Sequence, residues 1–515
     1  MVEILTSAQM RAIERAAIDS AAVTGLELME HAGQKVVQAL QERWNIQRDS
    51  YCTALILCGP GNNGGDGFVV ARLLAECGWR VTVCLYGDAD ALPRDARHNH
   101  DRWARLGAVH ALTAAVADLL PPDAFIIDAL FGTGLTRALP EPLVTALAPL
   151  AQRPAQGRVA VDAPSGLCLD SGRALGYVFA ADLTVTFHRA KIGHYLAQGP
   201  EYCGALAIAD IGLAQNSGGP DQTDLLTGSL AGGLGKRATG HKYTHGHALV
   251  LAGGPAKGGA ARLAARAALR IGAGVVTLAC PPAALQENAC RLDAVMLRAV
   301  RDQGAVTQLL QDTRVNALCL GPGGGVSPRE AGILRAALAA GRPVVLDADA
   351  LTLLAQGAAG FDALGPQMVL TPHAGEFARL FPDIAAKLHA TPTRGPAYSK
   401  RDATRDAALR AGCVVLFKGP DTIIAAPDGR CALNGAAYDR AVPWLATAGS
   451  GDVLAGMIAG LLARGFPAFE AACAAAWLHV ETALHFGAGL IAEDLPETLP
   501  QVLNKVTVKP RGNAP

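Results

Sequence analysis

The chain has 515 residues, half of them hydrophobic and 17% charged, and its 45 basic side chains balance 45 acidic ones. Such a composition excludes a disordered chain, and the absent net charge gives no field that would draw nucleic acid or an anionic membrane. The length predicts two to four domains.

Twelve cysteines are scattered without any C-x-x-C pair, so a zinc ribbon or thioredoxin-type motif is unsupported. Most fall in apolar runs and read as small core residues of a reducing compartment. The first residues, Met-Val-Glu-Ile-Leu-Thr, hold no basic stretch ahead of an apolar one, and no secretory signal is expected. The apolar runs fall short of the ~18 residues a membrane helix needs. The expectation is a cytoplasmic protein with no membrane or nucleic-acid partner, acting as a homo-oligomer.

Thr6 and Gln9 have capping-box spacing, which predicts a helix over Met10–Ala22, and a second is predicted over Leu26–Arg43. Thr53–Cys58 reads as a buried strand. It enters Gly59-Pro-Gly-Asn-Asn-Gly-Gly-Asp-Gly67, then a helix over Phe68–Cys77 and a strand over Arg80–Tyr86. That βαβ unit predicts a parallel sheet. Ala124–Asp128 and Arg158–Asp162 are further strands, followed by Gly132-Thr-Gly134 and Ala163-Pro-Ser-Gly166. Ligands of open α/β sheets bind beyond the carboxyl ends of strands, so Asp66, Asp128 and Asp162 are expected at one rim, each carried there by a strand.

Residues 215–239 are rich in Gly, Ser, Gln and Asp and read as a linker between domains at 1–214 and 240–505. The alternation then resumes. Ala248–Ala252 is a strand, Gly253–Gly259 a glycine loop and Ala260–Ile271 an alanine-rich helix. Strands follow near Val275–Ala279, Ala317–Leu320, Pro343–Asp347, Met368–Leu370 and Val414–Phe417. The tail beyond Asn504 reads as disordered. The fold class is α/β, with two domains.

The chemistry concentrates in a few loops. Ala448-Gly-Ser-Gly-Asp452 opens an apolar run, which reads as a glycine turn feeding a helix. Gly449 and Gly451 let backbone N–H groups approach an anion at the helix N-terminus. Asp452 at that mouth suits a general base beside a phosphoryl group, or else an ordinary first-turn aspartate. Gly59-x-Gly-x-x-Gly64 matches the dinucleotide fingerprint in form, but Asn62, Asn63 and Asp66 crowd it with oxygens that a plain dinucleotide turn does not use. With Asp128 and Ser165 those oxygens suit a hard cation, or the asparagines serve a tight turn. Asp162, ahead of Pro164, suits proton transfer or an Asx turn. Lys418-Gly-Pro-Asp-Thr422 suits phosphate, and Gly321–Gly325 suits close approach of a ligand. His373 stands beside Thr371 and Glu376 after a strand. Asp347-Ala-Asp349 reads as a strand terminus in preference to a metal-linked pair.

Together these motifs resemble the bifunctional NAD(P)H-hydrate repair enzymes. The N-terminal half is similar to the NAD(P)H-hydrate epimerase domain through Leu28-Met-Glu-His-Ala-Gly33, Gly59–Gly67, Asp128–Leu135 and Asp162–Gly166. The C-terminal half is similar to the dehydratase of the ribokinase-like superfamily through Gly240-His-Lys242, Gly253-Gly254, Leu320–Gly323, Thr371–Phe377, Lys418–Thr422 and Gly449–Asp452. The resemblance implies an N-terminal Rossmann-like sandwich and a C-terminal ribokinase-like domain. The first would interconvert R and S hydrates of NADH and NADPH. The second would phosphorylate the S hydrate from ADP or ATP, with Mg2+, and eliminate phosphate. It implies that Asn62, Asn63, Gly64, Gly65 and Asp66, then Gly132, Thr133, Gly134, Leu135, Thr136, Arg137 and Ala138, contact the hydrate together with a catalytic Asp162. Asn63, Asp128 and Ser165 would hold K+. In the second domain Ala260, Gly323, His373 and a catalytic Asp452 would contact the hydrate, and Lys418, Gly419, Pro420, Asp421, Thr422 and Gly451 the adenine nucleotide. Lys257 stands in a loop where some relatives carry Tyr and is left unassigned. A rival reading is a small-molecule kinase fused to a non-catalytic nucleotide-binding module.

Overall fold

The structure is a computed structural model that describes residues 1–47, 50–214, 221–228, 233–236 and 239–507. The chain forms two compact units. One comprises Glu3–Gly219 with Ala390–Ser399; the other comprises Met1–Val2, Pro220–His389 and Lys400–Pro515.

The first unit is built on a sheet in the order Val109–Ala111, Arg80–Leu85, Thr53–Cys58, Phe125–Ala129, Gly157–Val161, Leu183–Phe187 and Ala205–Ala209, parallel throughout. Its central strands are apolar on both faces because helices cover both sides, so they read as continuous hydrophobic runs. Ile56 pairs with Val83 on one side and Ile127 on the other. From Thr53–Cys58 the chain builds outward through the next two strands and then returns to the opposite side. That reversal makes a crevice at the carboxyl ends of Thr53–Cys58 and Phe125–Ala129.

Thr6 caps the first helix as expected, accepting from Gln9 N while Gln9 Oε1 accepts from Thr6 N. The helix runs Ser7–Asp19, ending three residues earlier than the sequence suggested. The helix after the glycine loop starts sooner than expected, at Asn62 and not Phe68. Asp66 therefore sits on a helix, whereas Asp128 and Asp162 do come from strand ends. Gly395 N donates to Thr136 O at 2.7 Å and Ala397 packs with Cys168 and Leu175, which is why Ala390–Ser399 groups with this unit and not with the residues on either side of it.

In the second unit, the sheet taken from Thr223–Leu225 continues through Cys431–Gly435, Asp421–Ala425, Val414–Phe417, Met368–Leu370, Val344–Leu346, Ala317–Leu320, His247–Leu251, Val275–Cys280 and Met296–Ala299. The pairings flanking Asp421–Ala425 are antiparallel; the rest are parallel. Strand order reverses between His247–Leu251 and Ala317–Leu320, so this sheet has a crevice of the same kind. Part of the expected linker lies outside the described residues, but Thr223–Leu225 within it is a strand of this sheet. The last helix, Asp494–Thr507, runs past Asn504; the residues beyond 507 of the expected disordered tail lie outside the described residues.

The helix Ser450–Ala463 is buried from Val453 onward and crosses the helix Gly259–Arg270. The crossing depends on small residues. A Cβ on Gly456 would fall 2.1 Å from Ala264 O, and one on Gly460 would fall 2.6 Å from Ala268 O. The packing anchors the N-terminus of Ser450–Ala463 at the rim of the crevice.

Candidate active sites

In the first unit, two loops at the crevice run against each other. A Cβ on Gly59 would lie 1.8 Å from Leu130 O, so only glycine permits the approach. The helix that starts at Asn62 has Gly61 at its N-cap and no side-chain cap, leaving its N-terminus open. Asp128 is 1% exposed. Its Oδ1 accepts from Ser165 Oγ (2.7 Å) and Leu130 N (3.1 Å), and its Oδ2 from Ser165 N (2.8 Å). Burial pushes Asp128 up to about 6, and those hydrogen bonds only partly oppose it. Ser165 Oγ in turn accepts from Phe131 N at 3.1 Å. Asn63 Nδ2 is buried with no hydrogen-bond partner.

Asp162 follows its strand in a left-handed conformation, φ 65°, which a non-glycine residue holds only where its surroundings compel it. The surroundings here are specific. Oδ1 accepts from Lys191 Nζ (2.8 Å) and Thr186 Oγ1 (2.9 Å), and Oδ2 from Thr133 N (2.9 Å). Burial works to raise its pKa, but the Lys191 charge and hydrogen bond, with Thr186, bring it below the ordinary carboxylate value. A Cβ on Gly132 would lie 2.7 Å from Asp162 Oδ2 and 3.0 Å from Asn63 Oδ1, so the Gly132–Ala138 loop begins directly on these two side chains. Gly134, Thr136, Arg137 and Ala138 form its exposed part. Arg11 reaches the same loop from the first helix, donating to Thr133 O at 3.0 Å. One turn on, Glu14 is pushed upward by burial and then by Asp162; Asp66 is pushed well upward by burial, Asp162 and Glu14. The crevice thus holds Asp162 as a carboxylate beside two carboxyls that resist ionisation.

In the second unit, the loops after His247–Leu251 and Ala317–Leu320 meet in the same way. A Cβ on Gly253 would fall 2.0 Å from Gly323 O, and one on Gly323 (φ 61°) would fall 2.4 Å from Lys257 O and 3.5 Å from Ala260 Cβ. This brings Ala260 beside Gly323 and gives exposed Lys257 a backbone role. Asp349 accepts from Gly325 N (2.8 Å). Lys418 Nζ donates to Asp347 Oδ1 (2.7 Å) and lies 3.7 Å from Glu376 Oε2. A Cβ on Gly451 would be 3.3 Å from the same Nζ. Lys418 therefore spans from the Asp347 strand end to the turn at Gly451. Lys400 braces the Lys418–Thr422 loop, donating to Lys418 O (3.1 Å) and Asp421 Oδ1 (2.6 Å).

Gly449 caps the helix Ser450–Ala463 at φ 92° with no side-chain cap. His479 Nε2 lies 2.9 Å from Ser450 O, and burial pushes this histidine down to about 4, so the neutral ring donates and steadies the turn. Asp452 is raised to about 7, first by burial, then by Asp347 against the opposing Lys418, with Asp349 and Glu376 adding to the rise. His373 caps the helix Ala374–Leu380: its Nδ1 accepts from Gly375 N (3.0 Å) and Glu376 N (3.3 Å), which leaves Nε2 as the proton-bearing nitrogen, 3.4 Å from Glu376 Oε1.

Asp347 stands directly after the strand Val344–Leu346, as read from the sequence, and Asp349 lies in the helix Ala348–Ala355; both acids also raise Asp452. A strand-end acid at the carboxyl edge of the sheet was the available signal. Glu14, Thr186, Lys191, His194 and His479 had no local signal, since each is an isolated polar residue in a stretch that carries no motif.

Two switch-point crevices, one centred on an ionised aspartate and one on an open helix N-terminus with a poised aspartate, define a two-domain α/β enzyme. The family model described as NAD(P)H-hydrate dehydratase matches residues 248–505, and the one described as YjeF-related protein N-terminus matches 25–193. The bifunctional NAD(P)H-hydrate repair enzyme of Moorella thermoacetica is 34% identical over 98% of this chain and 97% of its own. That of Escherichia coli is 32% identical over 95% and 92%. The NAD(P)H-hydrate epimerase of Rhodobacter capsulatus is 54% identical over 38% of this chain and 92% of its own. The solved ADP/ATP-dependent NAD(P)H-hydrate dehydratase from Bacillus subtilis, co-crystallised with ATP/Mg2+, is 28% identical, covering 57% of this chain and all of that one, with a TM-score of 0.47. The chain belongs to the bifunctional NAD(P)H-hydrate repair enzyme family. The residues matched by the model described as NAD(P)H-hydrate dehydratase fall almost wholly in the second unit.

Proposed function

We propose that the first crevice epimerises the hydrates of NADH and NADPH at C6 and that the second restores the dinucleotide from the S hydrate by phosphorylation and elimination. The observation that carries the reading is Asp452, held near neutrality beside Lys418 at a helix N-terminus that no side chain caps. As base it takes the proton of the C6 hydroxyl while that oxygen attacks the terminal phosphorus of ADP or ATP. The nucleotide leaves one phosphate shorter. The ring-nitrogen lone pair then expels phosphate from C6, and loss of a C5 proton restores the ring double bond. Backbone N–H groups from Gly451 onward and Lys418 stabilise the charge on phosphorus. Lys418–Thr422 hold the nucleotide, and Ala260, Gly323 and His373 border the hydrate. Asp347 and Glu376 face the Lys418 ammonium and, with Asp349, act on Asp452, a surplus of acids that suits Mg2+ arriving on the nucleotide phosphates. Bound there, Mg2+ would supply charge neutralisation, with Asp347 and Asp349 as the residues nearest to hand.

The test is incubation with purified hydrated NADH, with and without ADP or ATP, following the near-ultraviolet absorbance of reduced nicotinamide. Recovery should need the nucleotide. A stable phosphorylated product instead would indicate a small-molecule kinase.

In the first crevice Asn63, Asp128 and Ser165 are the proposed K+ ligands. Asp128 is buried with only neutral donors for company, and its Oδ2 accepts a single hydrogen bond; an oxygen set of this kind fits a weakly hydrated cation, with Asn63 contributing its Oδ1. Potassium at about 100 times its Kd should stabilise the protein by about 2.7 kcal/mol relative to choline buffer. Asp128→Asn should abolish that thermal shift. A potassium shift that survives in the variant would remove Asp128 from the site.

No helix among the described residues is long and apolar enough to cross a membrane.

A further inference from the structure

Lys191 is the least expected side chain in the first crevice. It lies past the strand Leu183–Phe187, and its side chain is 1% exposed. A buried lysine is costly unless each donor is used, and here all three are: Asp162 Oδ1 (2.8 Å), Thr186 Oγ1 (2.8 Å) and Phe187 O (3.2 Å). No donor is left for a substrate. Thr186 accepts from Lys191 and donates its own proton to the same Asp162 oxygen (2.9 Å). The backbone is tied in as well. Lys191 N donates to His194 Nδ1 (3.0 Å), which puts the imidazole proton on Nε2, and Nε2 donates to Asp162 O (3.0 Å).

We propose that Lys191 is a positioning residue for epimerisation: through Nζ and Thr186 it fixes one oxygen of Asp162 and keeps the other, on the Thr133 side, as the ionised oxygen that meets the hydrate. The proposal rests on Asp162 being the base of this site. Every other titratable group facing Asp162 argues for the need. Glu14, from the helix Ser7–Asp19, and Asp66, from the helix Asn62–Glu76, are acids that disfavour its charge, and His194 is held neutral, pushed down to about 4 by burial and then by the Lys191 charge. Lys191 alone supplies a compensating positive charge within hydrogen-bond reach.

The experiment measures epimerase kcat and KM against pH for Lys191→Met, Lys191→Arg and Asp162→Asn in the full chain, with dehydration of pure S hydrate as a control on folding. Lys191→Met should move the acidic limb of the epimerase profile upward by about one pH unit or more, the effect of removing an opposite charge at this distance. Its kcat should fall about tenfold or more below neutrality and recover toward the parental value at alkaline pH, with KM little changed. Lys191→Arg should retain the parental acidic limb. A loss equal at every pH, or no loss, overturns the proposal. If Lys191→Met does not fold, Thr186→Val removes one donor to the same oxygen and should shift the limb in the same direction by less; an unshifted limb overturns the proposal too. Asp162→Asn separates the premise: parental epimerisation there dismisses the base itself, whereas an inactive Asp162→Asn beside a parental Lys191→Met profile dismisses only the role of Lys191.

Discussion

Asp452→Asn should slow dehydration roughly 10²-fold or more, a barrier rise of about 2.7 kcal/mol, because asparagine keeps the shape and hydrogen bonds of the residue but cannot take the hydroxyl proton. Nucleotide affinity should hold or tighten, since a negative charge beside the phosphates is removed while Lys418 and the open helix N-terminus remain. The parental kcat/KM should rise with pH through about 7, where burial and the Asp347 carboxylate place the Asp452 titration. That limb should vanish in the variant. The sign for stability is also set. The folded value lies above the unfolded one, so the native state binds the extra proton and stability declines as pH rises from about 4 to about 7. The variant lacks this term and should be no less stable above neutrality. Calorimetry with ADP and turnover at saturating ADP are the paired measurements; weak ADP binding with intact turnover would reverse the roles.

Asp162→Asn should reduce epimerisation by roughly 10²–10⁴-fold, the range for a general acid or base, and leave dehydration of pure S hydrate unchanged because that chemistry belongs to the other unit. An amide oxygen can replace only one of the two carboxylate oxygens: placed toward Thr186 and Lys191 it keeps those donors, but the amide nitrogen then faces Thr133 N, and the Lys191 ammonium loses its counter-charge in a buried place. Some loss of thermal stability should accompany the kinetic effect. R-to-S interconversion at the parental rate would dismiss Asp162.

Both sites repeat one architectural idea, a glycine loop at a reversal of strand order. The loops after Thr53–Cys58 and His247–Leu251 each sit against the first loop built on the opposite side of the sheet, after Phe125–Ala129 and Ala317–Leu320 respectively. Backbone contact requires glycine there, and that requirement leaves a mark in the sequence that can be read directly.

By itself the sequence determined what is local. Buried strands such as Thr53–Cys58, Ala317–Leu320 and Val414–Phe417 are short apolar runs, Thr6 and Gln9 announce a helix start, and Gly449–Asp452 announces an open helix N-terminus. Only the tertiary structure decided which side chains meet. Lys191 reaches Asp162 across 29 positions and Lys418 reaches Asp347 across 71. The same holds for charge. Asp162 follows a strand and Asp452 stands in the first turn of a helix, each at the rim of a crevice, yet one is drawn below its ordinary pKa and the other raised to about 7. The difference lies in neighbours: a buried ammonium hydrogen-bonded to one, carboxylates crowding the other. Proton affinity is set by burial and by charges a few ångströms away in space, and no local stretch of sequence encodes either.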